Sequence, residues 1–193
     1  MTKNKHKIAI VGTHSTGKTS IVELFRQNYN DGKVHVLNEV ARDMINNGYK
    51  LGKGGTQEVY IKYVEEQLKR ETLSEKVSYD LLISDRSLVD GIAYPIINER
   101  LGITPVSKDL LRLFESILYF QKSFYDAYFY VPICFKNVID GVRDPEEDYR
   151  KEADIEIKRL LTEHIGSYYQ LKCGTLREMY NEISETVRKL KND

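Results

Sequence analysis

Gly12-Thr-His-Ser-Thr-Gly17-Lys18-Thr19 is the stretch of this chain whose residue types and spacing most directly imply chemistry. The two glycines let a backbone wrap closely enough for successive N–H groups to face phosphate oxygens. The lysine and hydroxyl that follow supply a cation for the β- and γ-phosphates and an oxygen for Mg²⁺. A helix opening at this point would add the positive end of its dipole. On this reading Gly12, Thr13, His14, Ser15, Thr16, Gly17, Lys18, Thr19 and Ser20 surround a nucleotide. Lys18 acts on the transferring phosphate and Thr19 on the metal, while His14 needs no chemistry of its own. The competing reading is a glycine turn that binds nothing, and it requires the surrounding strand–loop–helix pattern to be an accident.

Three further groups of charged residues follow apolar runs. Asp85 and Arg86 end Leu81-Leu-Ile-Ser84, and an acid in that place can hold Mg²⁺ while its neighbour reaches a substrate. Glu39 and Arg42 follow Val34-His-Val-Leu37. The carboxylate could take a proton from a hydroxyl and the guanidinium could bind a phosphate. An ordinary i,i+3 surface pair is the plainer alternative. Arg143 and Arg150 lie in and just beyond a polar loop, Asp140-Gly-Val-Arg143-Asp144, where a closing segment could bring guanidinium groups to a phosphoryl group. A solvated, salt-bridged loop would look the same. Gly174 could admit an adenine ring, although glycine is common wherever a strand ends.

The elements that must carry these residues alternate. Strands are expected at residues 7–11, 34–37, 80–84, 127–133 and 168–172. Helices are expected at 19–28, 39–47, 56–76, 87–101 (kinked by Pro95), 109–122, 149–164 and 176–191, with a glycine-rich loop at 49–55. Strands alternating with helices imply a parallel sheet covered on both faces, a three-layer α/β fold whose ligand crevice lies at the carboxyl ends of the strands. Every residue singled out above falls at such an end.

A chain of 193 residues, 41% hydrophobic and 30% charged, is the size and composition of a single globular domain, 1–193, with a lid loop near 137–150. Lysine and arginine balance aspartate and glutamate, 29 to 29. That balance argues against a general nucleic-acid or membrane surface. Met1–Lys7 is basic, but the apolar run after it is too short for a signal or a membrane span, so a cytoplasmic location is expected. Cys134 and Cys173 match no metal spacing and read as buried free thiols, in keeping with a reducing compartment.

The phosphate loop, Glu39-Val-Ala-Arg42, Asp85-Arg86, Asp140-Gly-Val-Arg143 and Cys173-Gly174 together resemble the NadR-like P-loop ATPase/kinase family, which includes ribosylnicotinamide kinase domains. The resemblance implies a sheet in the order 2-3-1-4-5 and transfer of the ATP γ-phosphate, with Mg²⁺, to a nucleoside-like hydroxyl, nicotinamide riboside being one candidate. It implies phosphate and metal roles for Lys18 and Thr19, a metal role for Asp85, a lid role for Arg143 and an acid role for Glu39. Arg42, Arg86 and Arg150 would face the acceptor, and either Glu39 or Asp85 could be the base. The Asp85-Arg86 pair is equally reminiscent of nucleoside monophosphate kinases, whose anionic acceptors need arginines more than a base. A third reading, an ATP-driven switch acting on a protein partner, also stays open, as does a homodimer. No N-K-x-D signature of guanine recognition is present.

Overall fold

The computed structural model describes residues 5–136 and 146–191. Five parallel strands form one sheet in the order β2-β3-β1-β4-β5. They are β1 (His6–Val11), β2 (Val34–Leu37), β3 (Leu81–Asp85), β4 (Ala127–Tyr130) and β5 (Tyr169–Gln170). The helices are α1 (Lys18–Asn28), α2 (Val40–Asn46), α3 (Gln57–Ser74), α4 (Leu88–Arg100), α5 (Lys108–Gln121), α6 (Glu147–Leu160) and α7 (Leu176–Leu190). The three-layer expectation and the strand order both hold.

Period-2 alternation along the buried strands divides the core. Ile8 and Ile10 of β1, Leu81 and Ile83 of β3, and Ala127 and Phe129 of β4 face α1 and α7. Ala9, Val11, Leu82, Tyr128 and Tyr130 face the opposite layer, which holds residues of α2 to α6. Both faces of the central strands are therefore buried, which is why these runs read as continuously apolar. With β3 on one side of β1 and β4 on the other, the loop after Val11 opens at the point where the strand order reverses.

The chain departs from expectation in four places. β4 ends at Tyr130 and not at residue 133. β5 is two exposed residues, not five, because it pairs only along one edge with Phe129 and Tyr130. The end of α6 widens into a π turn at Leu161–Ile165, which a helical period does not reveal. The cysteines are joined: Cys134 and Cys173 form a disulfide, with Cα atoms 5.5 Å apart. The free-thiol expectation is corrected, and its argument for a reducing compartment goes with it. A sequence separation of 39 hid a proximity that β4 and β5 create by lying side by side. No helix of the described residues is long and apolar enough to cross a membrane.

Candidate active site

The loop after β1 adopts a conformation that only its sequence permits. Gly12 has φ 146° and Gly17 φ 91°. A Cβ at Gly12 would lie 2.6 Å from the Val131 carbonyl oxygen, and one at Gly17 would lie 2.6 Å from Leu176 Cδ2. At Gly12 both space and backbone demand glycine; at Gly17 the backbone does, since the Leu176 tip can turn aside. Lys18 is buried, donating to the Thr13 carbonyl and, at 3.2 Å, to Thr16 Oγ1. Burial and the nearby Arg86 guanidinium push its ammonium down to about 7. The carboxylates of Asp90, Asp85 and Glu39 oppose this shift without cancelling it.

Asp85 ends β3 beside β1, and the Thr19 side chain lies close enough to its carboxyl to favour the ionised form. Its Oδ1 is buried without any hydrogen-bond partner. Burial, and next the Glu39 carboxylate, push the Asp85 carboxyl up. An orphaned carboxylate oxygen next to a threonine hydroxyl fits a hard divalent cation such as Mg²⁺, whose remaining ligands would be water and phosphate. Among the described residues no group of three or more His, Cys, Asp or Glu side chains could hold a metal by itself.

Arg86 is the structural centre of the site. Its φ of 80° is a left-handed conformation that costs a non-glycine residue roughly 1–3 kcal/mol. The turn lets its N–H reach the Ile10 carbonyl at 3.0 Å while its guanidinium swings across the strand ends. Nε donates to Glu39 Oε1 at 2.6 Å, and Nη1 donates to the Gly12 carbonyl at 3.2 Å. Arg42 Nε donates to the other oxygen of Glu39 at 3.4 Å. Burial alone would raise the Glu39 carboxyl, but Arg86 and Lys18 outweigh it and hold it down at about 2. Glu39 is therefore ionised at any physiological pH.

Sequence reading missed Asp90. This fully buried side chain takes the Gly12 N–H on Oδ1 and the Ser87 N–H on Oδ2, both at 2.9 Å. It fastens the first glycine of the phosphate loop to the start of α4. The Ser87-x-x-Asp90 spacing is a capping box, a signal that was legible in the sequence.

A cavity of about 230 Å³ lies between the phosphate loop and the helices. Glu39, Arg42, Arg86 and Asp90 form its charged end, next to His14 of the loop. Tyr60, Tyr63, Tyr94 and Tyr149 form its aromatic sides, and Gly52–Gly54 adds a backbone wall. The glycine-rich loop at 49–55 is thus a wall of the cavity, facing Tyr60, Tyr63 and Tyr94. His14 Nδ1 lies 3.3 Å from the Tyr94 hydroxyl.

Arg150 lies elsewhere than expected. It is fully buried and does not line the cavity. Nε donates to the His14 carbonyl at 3.1 Å, and Nη2 donates to the carbonyls of Ser15 at 3.1 Å and Phe135 at 3.0 Å. Nη1 faces both Glu147 oxygens at 3.3 and 3.4 Å. These contacts occupy the donors a phosphate would need, so Arg150 braces the loop from behind. Ser20 sits in the first turn of α1. Gly174 precedes the α7 N-cap, Thr175, and packs against Glu178. Arg143 lies outside the described residues.

A family described as AAA domain matches residues 7–178. No curated protein matches by sequence. Among solved structures, deoxyadenosine kinase from M. mycoides, with products dCMP and dCDP bound, aligns at a TM-score of 0.65 and 14% identity over 95% of this chain and 99% of its own. NadR protein in complex with NAD and AMP-PNP aligns at 0.71 and 17% identity over 98% of this chain, and NadR in complex with NR at 0.71 and 19% over 95%. The chain spans about half the length of those two NadR chains, 50% and 51%. These likenesses, all under 25% identity, are likenesses of fold, and the chain belongs to the AAA-domain family.

Proposed function

We propose that this chain is an ATP- and Mg²⁺-dependent kinase that transfers the γ-phosphoryl group to the 5′-hydroxyl of a nucleoside-type acceptor, with nicotinamide riboside among the candidates. The observation that carries this reading is the junction of two spaces: the phosphate loop borders an aromatic-lined cavity through His14, with the Glu39 carboxylate also in its lining. An ATPase that drives only a protein partner has no need of such a cavity. The two deoxyadenosine kinase and NadR folds aligned above hold nucleoside-derived ligands, which supports the same class.

In this reading the N–H groups of the loop and Lys18 hold the triphosphate, and Thr19 and Asp85 hold Mg²⁺. The metal, when bound, offsets charge on the β- and γ-phosphate oxygens. Glu39 lines the cavity and Asp85 does not, which favours Glu39 as the group that meets the acceptor hydroxyl. A carboxylate held at about 2 is a weak base. Phosphoryl transfer through a loose transition state asks mainly that the hydroxyl be oriented in line, with its proton accepted late. Arg86 fixes both Glu39 and the loop, so acceptor and donor share one anchor.

A second reading rests on Arg42, which lines the same cavity with its side chain 40% exposed. A nucleoside monophosphate would place its phosphate there. Mg²⁺-dependent ADP release across nucleosides, nicotinamide riboside and nucleoside monophosphates, with Lys18→Ala as blank, decides between them. Stimulation by nucleosides supports the kinase reading, and stimulation by monophosphates alone transfers it to Arg42. A flat panel with ATP still bound overturns both in favour of an ATP-driven switch.

A further inference from the structure

Tyr149 and Arg150 are consecutive on α6, yet they serve different parts of the site. Arg150 holds the His14 and Ser15 carbonyls. In a trans peptide unit the N–H points opposite to the C=O. Fixing these two carbonyls therefore turns the N–H groups of Ser15 and Thr16 away from Arg150. Neighbouring amides set in one direction form an anion nest before any anion arrives. The Thr13 hydroxyl donates back to the Arg150 carbonyl at 3.3 Å, closing the clasp.

The Tyr149 hydroxyl donates to Asn98 Oδ1 at 2.7 Å. Asn98 is fully buried on α4, and its Nδ2 donates to the Gly52 carbonyl at 2.9 Å and to the Tyr60 hydroxyl at 2.7 Å. Tyr60 donates to that same carbonyl at 2.8 Å, and the Gly55 N–H reaches it at 3.1 Å. Asn98 thus spends its whole amide on fixing one wall of the cavity, and it does so from outside the cavity lining. Lys53 of the same wall pairs with Glu146, the residue before α6, and lies over the Tyr149 ring. A buried network of this kind tolerates little slack, because each missing partner strands another.

From this geometry we infer that Tyr149 and Arg150 are positioning residues that link the phosphate loop to the Gly52–Gly54 wall, so that nucleotide occupancy tightens the cavity. The inference rests on the preceding reading only for what each space binds. Seating a triphosphate on the preset amides stiffens the loop carbonyls gripped by Arg150. The same turn of α6 then holds Tyr149, and through Asn98 the Gly52 carbonyl, more firmly.

The Gly55 amide reports this directly, since its N–H bonds the Gly52 carbonyl. Hydrogen exchange at residues 50–60 is measured with and without saturating Mg·AMP-PNP, alongside calorimetric binding of the same nucleotide. In the wild type the nucleotide slows Gly55 exchange several-fold. Tyr149→Phe removes one hydroxyl from a ring that stays packed; it binds Mg·AMP-PNP but loses the slowing. Arg150→Lys keeps the charge without the fork and weakens Mg·AMP-PNP by about tenfold or more. Should Arg150→Lys fail to fold, Tyr149→Phe decides alone. Gly55 exchange that ignores nucleotide in the wild type, or slowing that survives in Tyr149→Phe, overturns the inference. A flat acceptor panel with the slowing intact sinks the kinase reading and leaves this link standing, whereas wild type that binds no AMP-PNP sinks both.

Discussion

Asp85 and Glu71 are both buried carboxylates, and burial pushes both upward from their ordinary values. Their surroundings differ in kind. Glu71, on α3, accepts from Gln67 Nε2, Tyr125 Oη and Gln121 Nε2, each at 2.8 Å. Every donor is neutral and both oxygens are used. Asp85 has an oxygen with no partner, lies among Lys18, Arg86, Glu39 and Asp90, and adjoins a left-handed arginine. The first arrangement is complete as it stands. The second carries a strained arginine backbone, a stranded acceptor and a lysine held near 7, and a phosphate–metal ligand would relieve the last two. Burial by itself therefore does not mark a functional acid here; incompleteness does.

Removing the charge from the incomplete cluster should break this contrast most visibly. Lys18→Met should cut acceptor-stimulated ADP release on the order of 10³–10⁵-fold, the scale reported by charges on a transferring phosphoryl group. The ligand-free melting temperature should hold or rise, because the buried ammonium is uncomfortable without its anion. A marked fall in melting temperature would show that Lys18 supports the fold after all. Glu39→Gln should come next, lowering kcat about 10²-fold with the ATP dissociation constant little changed. Equal losses in binding and turnover would instead place Glu39 in nucleotide binding.

The fold was legible because its signals are local. Strand runs such as Lys7–Val11, the glycine-bounded loop and the alternation of elements each need only a short window. Lys18, Thr19, Asp85 and Glu39 could be singled out because a strand end is recognisable without knowing which strands are neighbours. What stayed hidden depends on contacts far apart in sequence. Cys134 meets Cys173 only through the β4–β5 pairing. Arg150 reaches His14 across 136 residues, so an arginine that read as a substrate ligand is a brace. Asn98 looks like any polar residue near the end of a helix until the Gly52 carbonyl is seen beside it.

The link between Asp90 and its cap allows a finer test. Ser87→Ala removes the hydroxyl that accepts the Val89 N–H at 3.2 Å but leaves the Asp90 carboxylate on Gly12. Losing such a cap should lower stability by about 0.5–2 kcal/mol in urea unfolding, with a much smaller change in turnover. A large loss of turnover with stability intact would mean that the cap serves the phosphate loop more than the helix.

The smallest effect expected is at the complete cluster, and it turns on pH. Burial leads the shift that raises Glu71 above its ordinary 4.5, with the hydrogen bonds from Gln67, Gln121 and Tyr125 opposing it. A group raised in the folded state contributes stability fully below its unfolded value, and that contribution is lost as pH rises through the folded value. Wild type should therefore lose ground to Glu71→Gln as pH climbs above 4.5, and the difference should level off once both states are ionised. The amide is accommodated because Gln121 can turn its own amide over and accept from the new NH₂, leaving Gln67 and Tyr125 on the remaining oxygen. Turnover should stay at the wild-type value throughout. A stability difference that ignores pH would mean that Glu71 keeps its ordinary titration despite its depth, and the three neutral donors would then balance burial. Completeness would in that case hold a charge as firmly as the ligand site does, and only the stranded oxygen of Asp85 would still separate the two clusters.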